Sequence, residues 1–216
     1  MKVYKFGGAS VKDSESIKNV CAIIEGGESL VIVISAMGKT TNKLEQVVDD
    51  YLNENDYKTS LQNVLDYHKN ILEDLFLDRE ADIWETFEKI SNYGKLYLKN
   101  KPEKNYDKTY DQIVPIGELL SSKILSAYLL QIGVKNTWID IRKTFITDEY
   151  FRKANLDWVK SEQNAKEHFK EDETSITQGF IGGTDNNLMT TLGREGSDYT
   201  AAALSNMLDA QELVVW

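Results

Sequence analysis

Two glycine-rich segments contain the side chains best placed to do chemistry. The first glycine segment, residues 5–10, reads KFGGAS, and the second, residues 193–198, reads GREGSD. Each lies between an apolar, strand-like run and a helical pattern. Glycine lets the backbone approach a ligand closely, and the helix that follows can point N–H groups at an anion. Because Lys5 and Arg194 add positive charge, the two segments predict a site that holds two anionic partners at once, as a kinase for a small acid requires.

Two further segments place polar groups next to predicted helices. Residues 35–42 read SAMGKTTN and follow a buried strand pattern, so we expect their hydroxyl groups at the same sheet edge as Lys5. Glu118 lies in the first turn of a helix that follows Pro115, where its carboxylate could receive a substrate ammonium group. Arg194 offers a planar fork of N–H groups that suits a carboxylate.

The same residues have plainer interpretations, which the pattern alone leaves open. Lys5 would be a solubilising lysine at a strand end, and Thr41 or Asn42 would cap the next helix. Glu118 would stabilise the dipole of its helix. Asp198 would be an N-cap, a role that is compatible with a second, chemical one.

The composition excludes several classes of protein. The 216 residues include 25 Lys and Arg against 35 Asp and Glu, for a formal net charge of −10, and the pI is near 4.8. This acidic balance argues against nucleic acids and anionic membranes as partners. Cys21 is the single cysteine, and His68 and His168 are the only histidines. We therefore predict no disulfide framework, no metal site and no Ser-His-Asp triad.

The hydropathy pattern indicates a protein that works away from membranes. The sequence reads without an apolar run of about 18 residues, the length of a membrane-spanning helix. The chain begins directly on a strand pattern, with no signal peptide. We therefore expect a cytoplasmic protein.

The first 35 residues predict a β-α-β unit. Residues 3–6 form a strand pattern, and apolar residues at helical spacing between 17 and 24 predict a helix that ends at Gly26-Gly27. Residues 30–34 read LVIVI, which is typical of a parallel strand buried on both faces. The crossover between the two strands should be right-handed.

The rest of the chain predicts an α/β fold with a mostly parallel sheet. Residues of about 43–110 keep helical periodicity and predict a helical insertion, flanked at its end by Pro102. The later predicted elements are a helix at 116–132, a strand at 137–139, a helix at 155–169, a strand pair at 175–181 and 188–192 joined by residues 182–187, a helix at 197–208 and a buried strand at 213–216. Because the chain stops inside that last strand, we expect residues 1–216 to be one domain truncated on its C-terminal side.

Five collinear motifs resemble those of the aspartokinases, in the amino acid kinase superfamily. The family motif KFGGTSV corresponds to KFGGASV at residues 5–11, and its serine-rich loop ending in Thr-Asn corresponds to residues 35–42. The remaining matches are GE-x-(L/M)-S at 117–121, TQGFIG at 177–182 and LGRGGSDYTAA at 192–202. Each match is modest alone, whereas five in order across almost the whole chain identify it as a member of this family.

The resemblance implies a fold and an activity. The expected fold is a three-layer α/β/α sandwich around the parallel sheet, and the chain would be the N-terminal part of the catalytic domain. The expected reaction is phosphorylation of the side-chain carboxylate of L-aspartate by ATP, with Mg²⁺ carried on its phosphates, to give 4-phospho-L-aspartate. This is the first step towards lysine, threonine and methionine. The family also implies a possible homodimer in the full-length protein.

The resemblance also assigns roles to individual residues. Lys5 would stabilise the transferring phosphoryl group, and Asp198 would organise Lys5. Arg194 would bind the α-carboxylate of aspartate. The other implied roles are phosphate binding by Gly7, Gly8 and Ser10, ammonium binding by Glu118 with Ser35 and Thr41, and a further substrate contact by Ser197. Residues 182–187 would form a lid over the site.

Three departures from the family keep alternatives open. Ala9 replaces a threonine of the first glycine segment, and Glu195 replaces a glycine of the second. The family's later nucleotide-binding segments and its ACT regulatory domains are absent, so we expect a fragment with impaired activity. One alternative is an amino acid kinase with a glutamate-type substrate, for which Glu118 discriminates, since only a free α-ammonium needs it. The other is a non-catalytic aspartate-binding module.

Overall fold

A computed structural model describes residues 1–24, 29–99 and 105–216. The strands are β1 (Lys2–Phe6), β2 (Leu30–Ile34), β3 (Thr137–Trp138), β4 (Ser175–Gln178), β5 (Ile181–Gly183), β6 (Met189–Thr191) and β7 (Glu212–Val215). The helices are α1 (Ser14–Ile24), α2 (Thr40–Leu52), α3 (Tyr57–Leu75), α4 (Asp82–Lys99), α5 (Tyr106–Ile113), α6 (Ile116–Gln131), α7 (Ile141–Thr144), α8 (Trp158–His168) and α9 (Gly196–Met207). The predicted helix end at Gly26-Gly27 and the predicted boundary at Pro102 lie outside the described residues.

Five strands form one parallel sheet in the order β3-β4-β2-β1-β7. The central strand β2 has every residue buried, and its side chains alternate between two apolar clusters. Ile32 and Ile34 belong to the cluster beneath α1, α3 and α6, whereas Val31 and Val33 belong to the one beneath α7 and α9. Helices therefore cover both faces of the sheet, which confirms the predicted α/β class and explains the unbroken apolar run.

Helices occupy the chain between β2 and β3 wherever it is described. Two of these helices, α3 and α5, and the later helix α8 each begin at a side-chain cap of a type that helix N-termini favour. Asp56 accepts a hydrogen bond from the Thr59 N–H, Asn105 accepts one from the Lys108 N–H, and Asp157 accepts one from the Lys160 N–H. Helices α2, α3 and α4 pack against α6, which runs beneath the sheet, and α5 packs on α2 and α4.

The predicted strand pair at 175–181 and 188–192 is wrong in its pairing. Strand β4 ends at Gln178 and stays in the parallel sheet, while β5 pairs with β6 in a separate antiparallel hairpin. The break comes at Phe180, whose φ of +72° cannot continue a strand. Gly183, predicted in the loop, lies in β5, where a Cβ atom would come within 2.4 Å of the Arg142 carbonyl oxygen.

The strand predicted as buried at residues 213–216 lies at the edge of the sheet. Strand β7 pairs with β1, and its side chains are exposed or half-exposed. Trp216 stacks on Phe6 with 4.7 Å between ring centroids and meets Tyr4 edge-on at 4.8 Å. The apolar run thus reflects packing on β1 and α9 at one side rather than burial on both faces.

One stretch of the chain differs from the expectation about membranes. Residues Tyr106–Gln131, which comprise α5 and α6, are long and apolar enough to cross a bilayer, with a mean hydropathy of 1.4. However, 78% of the apolar window is buried inside the protein. Its composition is therefore that of a core helix, and it is weak evidence for a membrane span.

Replacing Ile32 with alanine should test the importance of β2. Ile32 is fully buried in the centre of the sheet, and the cavity left by truncation should lower the free energy of unfolding by about 2–5 kcal/mol in urea denaturation. The matched control is Ile23→Ala on α1, where the side chain is 42% exposed, and its loss should stay below about 1 kcal/mol. Equal losses at the two positions would contradict a core centred on β2.

Candidate active site

A cleft of about 1020 Å³ opens at the carboxyl ends of β1 and β2. Ligand sites in open α/β sheets form at this edge because the connections that leave neighbouring strands diverge there. Of the predicted site residues, the structure brings eight into the lining of this cleft: Lys5, Gly8, Ser35, Thr41, Glu118, Arg194, Ser197 and Asp198. Gly7 and Ser10 do not line it.

The first glycine segment forms a 3₁₀ turn, Gly8–Val11, that precedes α1. The segment thus lies between β1 and α1 as predicted, but the N–H groups of Gly7 and Ser10 are used within the protein. Gly7 donates to the Trp216 carbonyl oxygen at 2.9 Å and Ser10 to that of Gly7 at 3.0 Å. The Gly38 N–H in turn donates to the Gly8 carbonyl oxygen at 2.8 Å, which joins the loops that follow β1 and β2.

Lys5 and Asp198 come together at the floor of the cleft. The Lys5 ammonium lies 2.7 Å from the Asp198 carboxylate, and the two side chains are 11% and 49% exposed. A solubilising role for Lys5 is excluded by this burial. The helix α9 has Glu195 at its N-cap position and no side-chain cap, so Asp198 does not serve as the N-cap either.

Glu118 is buried in the first turn of α6 with one oxygen unpartnered. Its Oε1 atom accepts a hydrogen bond from the Ala36 N–H at 3.3 Å, while Oε2 has no partner within the described residues. Loss of hydration raises the pKa of this carboxyl to about 8, against the lowering effect of its hydrogen bonds. Ser121 donates to the Ser35 carbonyl oxygen at 2.7 Å and fixes the same loop. A buried, unsatisfied acceptor at a cleft suits a ligand cation.

The loop after β2 contributes hydroxyl groups rather than a helix cap. Ser35 and Thr41 line the cleft, and α2 has Lys39 at its N-cap position with no side-chain cap. The alternative that Thr41 or Asn42 caps α2 is therefore wrong. The Thr40 hydroxyl, one residue earlier, is buried without a hydrogen-bond partner in the described part of the chain.

The second glycine segment is a tight turn that presents Arg194 to the cleft. Gly193 and Glu195 have φ of +81° and +57°, so the usual family glycine at position 195 avoids a strain that glutamate must bear. Gly196 lies against Phe180, where a Cβ atom would come within 2.6 Å of the ring. Arg194 is exposed, and no carboxylate pairs with it among residues 1–24, 29–99 and 105–216.

Sequence reasoning missed one wall of the cleft, residues 149–153. Arg152 has φ of +67°, and its guanidinium lies 4.6 Å from the Tyr110 ring centroid and 5.2 Å from that of Tyr106. Its ion-pair distances to Glu45 and Asp107 are 3.7 and 3.5 Å. The available signal was the run YFRK at 150–153, in which two aromatic residues precede two basic ones outside any helical or strand periodicity.

The segment predicted as a lid does not reach the cleft. Residues 182–187 are absent from its lining, and residues 149–153 form the rim instead. The two segments touch through a hydrogen bond from the Asn186 amide to the Glu149 carboxylate at 2.7 Å. Within the described ranges, no three His, Cys, Asp or Glu side chains lie close enough together to hold a metal ion.

The charges in the cleft are mixed. Its lining includes four cationic side chains, Lys5, Arg152, Lys153 and Arg194, and six carboxylates, Glu45, Asp107, Glu118, Glu149, Glu195 and Asp198. Selectivity for an anion must therefore come from local groups, and among the described residues neither Arg194 nor Lys153 has a carboxylate paired with it. A parallel α/β sheet with such a cleft defines a protein that binds small, charged metabolites at its strand ends.

The chain belongs to the Amino acid kinase family, whose model matches residues 1–216. A bifunctional aspartokinase/homoserine dehydrogenase 1 of Arabidopsis thaliana is 30% identical over 99% of this chain and 24% of its own length. The aspartokinase of Chlamydia trachomatis is 28% identical over 99% of this chain and 48% of its own length. The resemblance to aspartokinases that the motifs indicated is thus confirmed.

Solved structures agree with this assignment. A crystal structure of E. coli aspartokinase III in complex with lysine and aspartate has a TM-score of 0.89 and 28% identity, and covers 100% of this chain and 49% of that chain. The same enzyme in complex with aspartate and ADP has a TM-score of 0.88. The chain spans about a quarter to a half of the length of these relatives.

Replacing Gly8 with alanine should disrupt the joint between the two loops. A Cβ atom at Gly8 would lie 2.7 Å from the carbonyl oxygens of Ala36 and Gly38. Because these are backbone atoms, the clash can be relieved only if the loops that follow β1 and β2 move apart, which would open the cleft. We expect a loss of about 1–3 kcal/mol in the free energy of unfolding, measured in urea. Ala9→Ser, at an exposed position of the same turn, should change it by less than about 0.5 kcal/mol. A Gly8→Ala variant as stable as the control would show that the joint is pliable.

Proposed function

We propose that this chain carries the aspartate site of an aspartokinase, which transfers the γ-phosphoryl group of ATP to the side-chain carboxylate of L-aspartate and forms 4-phospho-L-aspartate. The observation that supports it most is the meeting, in one cleft, of the Lys5–Asp198 pair, the unpartnered oxygen of Glu118 and the unpaired Arg194. A free amino acid presents the groups complementary to these.

Each end of the substrate has a partner in this arrangement. The guanidinium of Arg194 binds the α-carboxylate, because it can donate two parallel hydrogen bonds. The Glu118 carboxylate receives the α-ammonium, and the hydroxyl groups of Ser35 and Thr41 supply further acceptors beside it. Ser197, next to Asp198 in the first turn of α9, contacts the substrate from the other wall.

The reaction needs alignment and charge neutralisation rather than a general base. The side-chain carboxylate of aspartate is already ionised at pH 7, so its oxygen attacks the γ-phosphorus while the bond to the leaving ADP oxygen breaks. Lys5 neutralises charge on the transferring group, and Asp198 holds Lys5 in position. His68, buried between helices, and His168, bound to the Thr144 hydroxyl, take no part.

The nucleotide would be held in part by residues of this chain. The ammonium of Lys5 and the close backbone of Gly8 fit phosphate oxygens, because both line the cleft and neither brings negative charge. Mg²⁺, bound to the phosphates of ATP, supplies charge neutralisation when present. Support for nucleotide use comes from the E. coli aspartokinase III structure, which is a complex with aspartate and ADP.

The cellular role follows from the same proposal. The protein acts in the cytoplasm, in the biosynthesis of lysine, threonine and methionine, and binds neither nucleic acid nor a membrane. The net charge of −10 supports the last point, since both polyanions repel an acidic surface. We also propose that the full-length protein forms a homodimer.

One observation favours aspartate over an acylated, glutamate-type substrate. Glu118 has a buried oxygen with no partner among the described residues; the α-ammonium of a free amino acid supplies both a donor and a positive charge there, whereas an acylated nitrogen supplies no charge. Isothermal titration with L-aspartate, L-glutamate and N-acetyl-L-glutamate separates the alternatives. Binding of L-aspartate without any ATP-dependent turnover by the full-length gene product would favour the non-catalytic module.

Truncation of Arg194 should abolish most of the affinity for aspartate. We expect Arg194→Ala to raise the Kd for L-aspartate at least about tenfold in isothermal titration, since a bidentate carboxylate contact is lost. Arg79→Ala, which removes an exposed guanidinium paired with Glu73, is the control and should bind as the wild type does. Unchanged affinity in Arg194→Ala would refute the assignment of the α-carboxylate.

Aspartate binding should release a proton from Glu118. The pKa of about 8 leaves this carboxyl about nine-tenths protonated at pH 7, and a substrate ammonium beside it lowers that pKa. Because binding then favours the ionised form, affinity should increase as the pH rises from 7 towards 8. The binding enthalpies measured in phosphate and in Tris buffer should then differ by the difference between the ionisation enthalpies of the two buffers, multiplied by the number of protons released, which is at most one.

The control for this prediction is Glu118→Gln, which cannot titrate. Its binding enthalpy should be the same in both buffers and its affinity lower. Identical enthalpies for the wild type in the two buffers would show that Glu118 is not the ammonium partner.

A further inference from the structure

Asp111 is a fully buried carboxylate that lies behind the cleft without lining it. It sits on α5, and three donors from two other elements converge on it. Its Oδ2 atom accepts hydrogen bonds from the N–H groups of Arg152 and Thr191, both at 2.9 Å. Its Oδ1 atom accepts one from the Thr191 hydroxyl at 2.7 Å. One side chain therefore ties α5 to the rim loop and to β6.

The rim loop and the chain that follows β6 both contribute a cationic side chain to the cleft. In the rim loop, Arg152 has a left-handed φ of +67°. This conformation is strained for a residue other than glycine, so contacts with the rest of the protein must stabilise it. Strand β6 ends at Thr191, and the chain reaches Arg194 within three residues. Arg152, Thr191 and Arg194 all line the cleft.

We propose that Asp111 is a positioning residue of this site, which holds the Arg152 loop and the strand leading to Arg194 in one arrangement and so sets the affinity for the carboxylate ligand. This inference rests on the proposed function for the identity of that ligand. The physical reason is geometric. The rim loop and β6 are joined to each other by the Ala154 N–H, which donates to the Thr191 carbonyl oxygen at 3.0 Å, and Asp111 fixes both of them to α5, so that neither can shift relative to that helix while its three hydrogen bonds persist.

The charges around Asp111 agree with a hydrogen-bonding role. Asp107 faces it from the same helix. The rim loop carries the charged side chains of Glu149, Arg152 and Lys153. However, this loop bonds Asp111 through the Arg152 backbone N–H. Strand β6 contributes the hydroxyl and N–H groups of Thr191. Burial raises its pKa to about 6, although the three hydrogen bonds lower it. At pH 7 the ionised form thus depends on these donors. An asparagine can accept the two N–H bonds with one oxygen, whereas leucine of similar size accepts none.

The test compares Asp111→Asn with Asp111→Leu in isothermal titration of the 216-residue chain with L-aspartate. We expect the Kd to stay within about threefold of the wild type in Asp111→Asn and to rise at least tenfold in Asp111→Leu, with the stoichiometry unchanged in both. Asp66→Asn, an exposed carboxylate of α3 that bonds only Gln62, is the control. A Leu variant with wild-type Kd and reduced stoichiometry would overturn the proposal, because it would mean that Asp111 supports folding alone.

A second readout remains decisive if the wild type binds no aspartate, which would refute the proposed function instead. Thr191→Val removes one donor to Asp111 and leaves the backbone intact, so it also serves if Asp111→Leu does not fold. In ¹H–¹⁵N spectra of the free chain, Thr191→Val should shift the amide resonance of Arg152, because Asp111 accepts hydrogen bonds from both residues. The shift at Arg152 should exceed that at Ala154, whose N–H donates to the Thr191 carbonyl oxygen at 3.0 Å and would report a change passed through the backbone instead. An unmoved Arg152 resonance would overturn the positioning role, whatever the ligand.

Discussion

The parallel pairing of β1 with β2 is the constraint on which the cleft depends. Their register sets Phe6 beside Ile34, and the Ser35 N–H donates to the Phe6 carbonyl oxygen at 3.1 Å just past the strand ends. The two loops that follow therefore leave the sheet side by side, and glycine at position 8 lets their backbones touch. The second loop also holds Glu118 at this point, because the Ala36 N–H donates a hydrogen bond to the Glu118 carboxyl. A shift of either strand would therefore separate the first glycine segment from the hydroxyl groups of the second loop and from the buried Glu118 carboxyl.

The sequence predicted the elements whose signals are local. The runs at β1 and β2 and the periodicity of α3 correspond to strands and a helix because burial on two faces or on one stripe leaves a direct pattern. The same reasoning gave the cleft residues that follow strands. It failed where distant segments decide the conformation. The bend at Phe180 depends on the Thr200 hydroxyl, which accepts its N–H, and the three bonds to Asp111 join residues some 40 and 80 positions away.

The ionic groups of the cleft fall into two kinds. Lys5 has its counter-charge in place and is largely shielded, so its position is set before any ligand arrives. Glu118 and Arg194 lack such a partner within the described residues. Glu118 is buried with one oxygen that makes no hydrogen bond, and Arg194 projects from a tight turn. Pre-arranged charge favours the chemical step, since no reorganisation is needed, whereas unmatched charge favours recognition, since a ligand relieves it.

The edge strand β7 has a consequence for how the molecule is assembled. It pairs with β1 across almost the full length of the chain, with Lys2 opposite Glu212, and the Trp216 carbonyl oxygen receives the Gly7 N–H. β2 follows β1 closely in the chain and can pair with it early in synthesis, but the other edge of β1 stays open until β7 has been made. Contacts of such long sequence separation form slowly, and an open edge invites pairing with other chains. The strand β1 therefore completes its pairing only after β7 has emerged, at the place where the cleft forms.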